Sequence, residues 1–448
     1  MSKIYDYPCS FSIVRNYVVF TFKLYYSEYI VLGRENVPTD CPVIFAPNHI
    51  NALMDATAIH SVAPYKVPVI FLARADIFKN KKSAQLLKSA KILPAFRMRD
   101  GMENLSKNNE VFEQCVEILD QNKILGIMPE GNQGEQRKLR LLVKGIFRIA
   151  FAAQQKYDSQ SNVKIIPVGI DYGDLAKYGK HIIINIGKPI EVSEYIQRFN
   201  ENPVAATNEI RDKLKFDLNR LSLDLATENH YECFKTITEV ANTDFVKKLQ
   251  LIDNTVSRFV ARQEIAKKLT AIEITEPKKI EKLDVLAKNY IGLLKKINLR
   301  DWVFEQSPFK TVSIILEGML LFLTFPFFVY GFICNFLPFF VPVYIRKFVM
   351  KAQYEGFFSS LQFGIGIFLF PFFYLMQTVI FYNLTGIPLW LSLLFFILQY
   401  PFGKLAVKWN GIAKKFIAKI RFMRLKHKKS FELIQVQNIR EQIIQMIS

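Results

Sequence analysis

Between Pro42 and Gly187, short apolar runs rich in β-branched residues alternate with segments of helical spacing. Pro42–Ala46, Pro68–Ala73, Lys123–Met128, Val163–Ile170 and His181–Gly187 predict strands. Ala52–Ser61, Lys82–Ala90, Met102–Asp120 and Leu141–Lys156 predict helices, with Gly or Pro at several of the joints. This rhythm predicts an α/β domain, a mixed sheet flanked by helices, over 34–200. From Glu191 to Asp301 the pattern turns helical and charged, clearest in Asn208–Asp224, Val256–Ile272 and Pro277–Lys296, and predicts a helical subdomain over 201–306. Upstream, the apolar and aromatic stretch Phe11–Leu32 is interrupted by Arg15, Lys23 and Glu28 and lacks a small-residue cleavage site. Residues 1–33 are expected to stay on the mature protein, either as a helix in the headgroup layer or as an ordinary amphipathic core helix.

After Ser307-Pro308 the pattern changes to long uncharged blocks. Thr311–Ile345 holds 35 residues with Glu317 as its only charge, and Leu361–Gly403 holds 43 with none. About 20 apolar residues cross a bilayer as a helix, so each block is too long for one crossing and near the length of two. Asn335 with Pro338 in the first block, and Asn383-Leu384-Thr385-Gly386 with Pro388 in the second, supply the tips. Two α-helical membrane hairpins are therefore expected over 307–403, with the shorter first block either crossing or re-entrant. Phe-Pro-Phe-Phe recurs at Phe325–Phe328 and Phe370–Phe373, an echo that fits a duplicated hairpin. Arg346, Lys347 and Lys351 separate the blocks, and ten Lys/Arg without an acid lie between Lys404 and Lys429, inside an expected basic helical tail over 404–448. Paired crossings keep both clusters and the N-terminal domain on the cytoplasmic face of an integral membrane protein.

Charge and composition sharpen this picture. The 448 residues carry 59 Lys+Arg against 40 Asp+Glu, a net +19, with 40 Phe and 19 Tyr. So basic a chain seeks phosphate in nucleic acid, membranes or substrates, and the apolar C-terminal third turns the choice to a phospholipid bilayer and away from nucleic acid. Five Cys without a CxxC pair give neither a disulfide framework nor a zinc pattern, which points to a reducing compartment. The five His have no metal-site spacing, and no GxSxG elbow, Walker loop or GxGxxG fingerprint occurs. No metal and no bound cofactor are expected.

The segment Ala46-Pro47-Asn48-His49-Ile50-Asn51-Ala52-Leu53-Met54-Asp55 places His49 on the loop between a strand and a helix that contains Asp55. An imidazole beside a carboxylate is the base-and-orienter unit of acyl transfer, although a lone His near an Asp is more often structural. In Leu93–Gly101, Arg97 and Arg99 stand two residues apart, on one face if extended, where both guanidinium groups can fork onto a phosphate. Met128-Pro129-Glu130-Gly131 follows a predicted strand, where open α/β sheets build their sites. Arg137, Lys138, Arg140 and Lys144 continue the basic character, and Pro167 falls within another strand.

The order of these blocks resembles the glycerolipid acyltransferase superfamily, which contains the lysophosphatidate and glycerol-3-phosphate acyltransferases. The matches are Asn48-His49 with Asp55, the block of Arg97 and Arg99, Pro129-Glu130-Gly131, and Pro167, over about Val31 to Ile190. The resemblance implies O-acylation of glycerol-3-phosphate or 1-acylglycerol-3-phosphate, with acyl-CoA or acyl carrier protein as the donor. It implies His49 as general base and Asp55 as its orienter, with Asn48, Arg97, Arg99, Glu130, Gly131 and Lys144 binding substrate. Five residues separate His49 from Asp55 where four are usual, as in a variant subgroup of fungal type. Asn132-Gln133 replace the usual Thr-Arg after Pro-Glu-Gly, which shifts phosphate binding onto Arg97, Arg99 or the Arg137–Lys144 run. The competing expectations are a non-catalytic lipid-binding or membrane-shaping protein on this scaffold, and an acyltransferase for another lysolipid or an amine.

Overall fold

The structure is a computed structural model that describes residues 3–78, 80–96, 105–134, 136–156 and 162–448. The chain forms two compact units, Met1–Asp224 with Ala352–Phe363, and Leu225–Lys351 with Gly364–Ser448. The first is an α/β unit. Its strands are β1 (Glu28–Leu32), β2 (Val43–Pro47), β3 (Val69–Arg74), β4 (Ile92–Ala95), β5 (Ile124–Gly126), β6 (Lys164–Tyr172), β7 (His181–Ile186) and β8 (Ile190–Glu191). They lie in the order β1-β7-β6-β2-β5-β3-β4, with β8 on β6. Pairing is parallel except where β7 and β8 meet β6. Every residue of β2 is buried, as the unbroken apolar run Val43–Pro47 requires of a central strand.

The helices of this unit are α1 (Cys9–Tyr25), α2 (Ala52–Val62), α3 (Lys81–Ser89), α4 (Leu105–Asp120), α5 (Gly145–Lys156), α6 (Ile196–Glu201) and α7 (Pro203–Leu221). Ala206, Ile210, Leu214 and Leu218 recur every four residues and so share one face of α7, packed into the core of Ile44, Leu125, Ile165 and Phe147. The α/β unit consequently runs to Asp224, past the boundary expected at residue 200. Gly169 of β6 lies so close to the end of α7 that a Cβ there would sit 2.1 Å from the Leu221 carbonyl oxygen. The stretch Phe11–Leu32 is not one helix. It stops at Tyr25, and Glu28–Leu32 pairs in parallel with β7, where the aromatic and β-branched run Tyr29-Ile30-Val31 favours a strand. Arg15 is buried and donates to the carbonyls of His60, Ala63 and Pro64 at the end of α2, where a cation meets the negative end of the helix dipole. Ile13, Val14 and Phe20 on the same helix stay exposed.

The second unit contains α8 (Tyr231–Val240), α9 (Asn242–Lys248), α10 (Thr255–Thr275), α11 (Pro277–Ile297) and α12 (Trp302–Gln306). These are followed by α13 (Thr311–Tyr344), most of α14 (Glu355–Thr385), α15 (Leu389–His427) and α16 (Phe431–Ile447). Arg440 of α16 bonds Asp301 at 3.1 Å and the Val240 carbonyl at 3.0 Å, closing the bundle. Among the described residues three helices, α13 with its short continuation, α14 and α15, are long and apolar enough to cross a membrane.

The first apolar block is not a hairpin. α13 is one helix of 34 residues that carries Pro326, Pro338 and Pro342 inside it. The expected tip at Asn335 does not turn because its amide is satisfied without leaving the helix, bonding the Gly331 carbonyl one turn back and the Gln399 carbonyl of α15, both at 2.9 Å. The second block does turn, at Gly386 with φ +62° and Pro388, between α14 and α15. α15 then continues unbroken through the basic segment to His427, so the tail expected from residue 404 is no separate element. α13 and α15 run antiparallel: Glu317 pairs with Lys419 at 2.7 Å, and Trp409 Nε1 donates to the Leu321 carbonyl at 3.2 Å. Gly331 permits this approach, since a Cβ there would meet the Phe402 carbonyl oxygen at 2.1 Å.

Candidate active site

β2 ends at Pro47, and the next residue continues its ladder with a side chain. Asn48 Nδ2 donates to the Ile170 carbonyl at 3.2 Å, and its Oδ1 accepts from Ile170 N at 2.7 Å. That amide, expected on substrate, is consumed in fastening the loop to β6. His49 follows, with Nδ1 2.9 Å from Asp55 Oδ2. Asp55 is fully buried in the first turn of α2. Its Oδ2 also accepts from the Ile50 and Asn51 amides at 2.9 and 2.7 Å, and its Oδ1 from the Tyr172 hydroxyl at 2.6 Å. Burial, then the Asp55 charge, hold the Tyr172 phenol far above its ordinary range, so it stays a donor. The six-residue step from His49 to Asp55 is absorbed outside the helix, with Asn51 as N-cap and Ala52 at φ +26°. With Nδ1 on the carboxylate, His49 has Nε2 left for a substrate proton, on a side chain 17% exposed.

Glu130 stands beyond the end of β5, next to β2 in the sheet. One carboxylate oxygen accepts from His49 N at 2.8 Å, and the other from Arg140 N and Nε at 3.2 and 3.0 Å. Gly134 N donates to the His49 carbonyl at 2.8 Å, so the backbone of His49 is held on both sides. Burial raises the Glu130 carboxyl above its ordinary range despite these donors. Gly131 has φ +68°, a left-handed conformation that suits glycine, and lies against Val143.

The family described as Acyltransferase matches residues 28–171, the stretch that carries His49, Asp55, Glu130 and Gly131. That stretch resembles the glycerolipid acyltransferase superfamily. Glycerol-3-phosphate O-acyltransferase 1 of Saccharomyces cerevisiae is 27% identical over 144 residues, 32% of this chain and 19% of that protein. The match thus spans about a fifth of the yeast protein's length. Among solved structures, the 1-acyl-sn-glycerophosphate (LPA) acyltransferase PlsC from Thermotoga maritima shows 18% identity and a TM-score of 0.35, over 47% of this chain and 77% of that one.

The acyltransferase unit is completed by a segment far downstream. Ser359 and Ser360, in the second turn of α14, are buried and bond the N-cap of α2. Asn51 Nδ2 donates to Ser359 Oγ at 2.9 Å, Ser359 Oγ donates to the Leu175 carbonyl at 2.7 Å, and Ser360 Oγ donates to Asn51 Oδ1 at 3.0 Å. A Cβ on Gly356 would lie 2.2 Å from the Ile50 carbonyl oxygen, so this turn sits directly against the catalytic loop. Phe363 packs edge-on against Phe22 and Tyr25 of α1. Sequence reasoning missed both serines and Tyr172, and a Ser-Ser pair in an apolar run carries no signal of its partner.

The basic residues separate into two kinds. Arg137 is turned inward, paired with buried Asp171 and with the Tyr172 carbonyl, so it braces β6 instead of waiting for phosphate. Among the described residues Arg140 Nη2 has no partner while Nε holds Glu130, and Lys144 is exposed just before α5. Arg97 and Arg99 lie outside the described residues. Among the described residues no cluster of three or more His, Cys, Asp or Glu could hold a metal.

Proposed function

We propose that this protein is a membrane-bound O-acyltransferase that moves a fatty acyl group from acyl-CoA or acyl carrier protein to glycerol-3-phosphate or 1-acylglycerol-3-phosphate. The observation that carries the reading is the His49–Asp55 dyad, with Nδ1 fixed by a buried carboxylate and Nε2 left for substrate, inside the segment that matches the acyltransferase family. His49 Nε2 takes the acceptor hydroxyl proton as the oxygen attacks the thioester carbonyl. The C–O bond forms, the C–S bond breaks, and the imidazolium returns the proton to the departing thiolate. Asp55 balances the transient imidazolium, and the four donors on its carboxylate keep it aimed. Direct transfer needs no acyl-enzyme.

Arg140 is tied to this machinery, because its side chain grips the carboxylate that holds His49 N while its Nη2 has no partner among the described residues. It takes the place of the arginine absent after Pro-Glu-Gly, with Lys144, Arg97 and Arg99 as further phosphate ligands and Gly131 lining the acceptor pocket. Ten basic residues between Lys404 and Lys429 support a cytoplasmic placement of that end of α15 and of the water-facing part of the chain. The test is thiol release by the full chain in lipid nanodiscs, with acyl-CoA and acyl carrier protein thioesters against glycerol-3-phosphate, its 1-acyl ester, other lysolipids and amines. His49→Ala should lower turnover about 10²–10⁴-fold with acceptor binding little changed. Wild-type turnover in that variant removes the mechanism. Absence of transfer to every acceptor favours the lipid-binding reading.

A further inference from the structure

One end of the α13–α15 pair carries a cavity that the acyl-transfer chemistry does not use. Ile420, Met423, Arg424, His427 and Lys428 are spaced i, i+3, i+4, i+7 and i+8, so they form one stripe along the end of α15. Because the two helices are antiparallel, the first turn of α13 lies beside that stripe, and its Ile314 completes the lining of an open cavity of about 340 Å³. Ile314 is buried and Ile420 and Met423 are half-buried, whereas Arg424, His427 and Lys428 are exposed. The cavity therefore has an apolar floor and a basic rim. The carbonyls at the end of α15 attract cations, but Lys426 in the same last turn meets that demand without lining the cavity. The helix dipole thus leaves unexplained why three cationic or donor side chains gather on one side, over apolar ground. The acids nearest in sequence are already taken, Glu317 by Lys419 at 2.7 Å and Glu432 by Lys296 at 3.1 Å. Around the floor, Val312, Ile315 and Leu316 of α13 are 57–68% exposed, and Ile417, one turn back along the α15 stripe, is exposed as well.

We propose that this cavity binds one anionic phospholipid of the surrounding leaflet, with its phosphate on Arg424, His427 and Lys428 and the first carbons of its chains on Ile314, Ile420 and Met423. The proposal rests on the membrane-bound reading above and is independent of the His49 chemistry. Arg424 offers a planar fork to two phosphate oxygens, Lys428 a compact charge, and His427 a ring N–H in either protonation state. The stripe rises about 12 Å from Ile420 to Lys428, and the headgroup region on each side of a bilayer is about 5–8 Å thick, so one stripe reaches from acyl chains to phosphates. A free phosphate ion would leave the apolar floor to water, and a zwitterionic headgroup brings its own cation to compete with the rim. The occupant that satisfies both halves of the cavity is a lipid of net negative charge.

The test mixes the full chain, purified in a mild detergent, with equal amounts of dioleoyl phosphatidylglycerol and dioleoyl phosphatidylcholine, and counts the lipids retained per chain by native mass spectrometry. One phosphatidylglycerol should be retained in preference to phosphatidylcholine. Arg424→Gln with Lys428→Gln should weaken that retention about 30-fold, the effect of two charges at a lipid surface, whereas Lys408→Gln with Lys414→Gln removes the same charge elsewhere on α15 and should change it by less than about twofold. Equal retention of the two lipids overturns the proposal. Equal weakening by the two double variants also overturns it, because the attraction would then belong to the basic helix as a whole. Met423→Trp fills the floor and keeps the cations, so retention should be lost there too; retention unchanged by it would reduce the cavity to a phosphate contact and overturn the lipid as occupant. If that variant loses the helical circular dichroism of the parent, Ile420→Phe makes the same test. Flotation separates the two readings. A chain that fails to float with phosphatidylcholine–phosphatidylglycerol vesicles overturns the membrane-bound reading, and one that floats without preferring either lipid overturns the site alone.

Discussion

Replacing Tyr172 by Phe deletes one oxygen atom and, with it, the only donor on Asp55 Oδ1 among the described residues, at 2.6 Å. Both side chains are fully buried, so water cannot take the place of the hydroxyl without entering a packed core. A hydrogen bond to a charged group contributes about 1.5–3 kcal/mol, and a buried acceptor left unpaired sits at the upper end of that range. The expected loss in unfolding free energy is therefore about 2–3 kcal/mol, read from denaturant midpoints of the detergent-solubilised chain. The catalytic loss should be smaller than that figure alone implies. Oδ2 keeps three donors, including His49 Nδ1, so the imidazole remains aimed while the charge that balances it is less firmly held. About a 3–10-fold fall in kcat with KM unchanged follows, well short of the loss expected for His49→Ala. Unchanged stability and turnover would show that the hydroxyl does not serve Asp55. A fall as deep as that of His49→Ala would make Tyr172 a participant in proton transfer and refute its role as a positioning residue.

Ser359→Ala with Ser360→Ala leaves the Asn51 amide and the Leu175 carbonyl with only their long 3.4 Å bond to each other, and should cost about 2–4 kcal/mol in stability and lower kcat more than KM; equal loss of donor binding would place the serines in a substrate pocket. Arg140→Lys keeps the charge but not the fork, so the apparent KM for a phosphorylated acceptor should rise about tenfold while the thioester KM holds, and an unphosphorylated acceptor should be indifferent. Burial, aided by Arg15, depresses the His60 imidazole from 6.5 to about 3. Its stabilising contribution is complete above pH 6.5 and is lost as pH falls toward 3, by at most about 1.4 kcal/mol per pH unit. His60→Leu should flatten that limb of the stability–pH curve, and an unchanged slope would assign acid lability to another group.

The sheet was legible where each strand is a continuous apolar run bounded by breakers, as in Val43–Pro47 and His181–Ile186. Glu28–Leu32 was not, because its aromatic and apolar residues follow a helix of the same character and nothing in the pattern announces a change of partner. The contact of His49 with Asp55 was legible because the two lie on one loop and the helix it opens, and Glu130 because it follows a predicted strand. Asn48 and Arg137 were misread for a shared reason: sequence shows that an amide or a guanidinium is present, and only the fold shows that Ile170 or Asp171 has already used it. α13 defeated the turn rule because prolines and an Asn end a helix only when their freed groups find better partners outside it. Here the Asn335 amide finds its own preceding turn and α15 instead.

The contact between Asn51 and Ser359 joins residues 308 positions apart, and that separation orders events during synthesis. Loop closure over such a span adds only about 0.6 kcal/mol for each doubling of length, so equilibrium stability is little affected. At about 5–20 residues per second, however, the ribosome needs roughly 15–60 s to deliver Ser359 after Asn51 has emerged. For that interval the nascent sheet can form while its catalytic loop lacks half of its support, and the face of α1 that receives Phe363 stands open. The base therefore becomes fully braced only after the whole of α13 has been made. A chain interrupted before residue 352 would carry His49 and Asp55 intact and still leave Asn51 unheld.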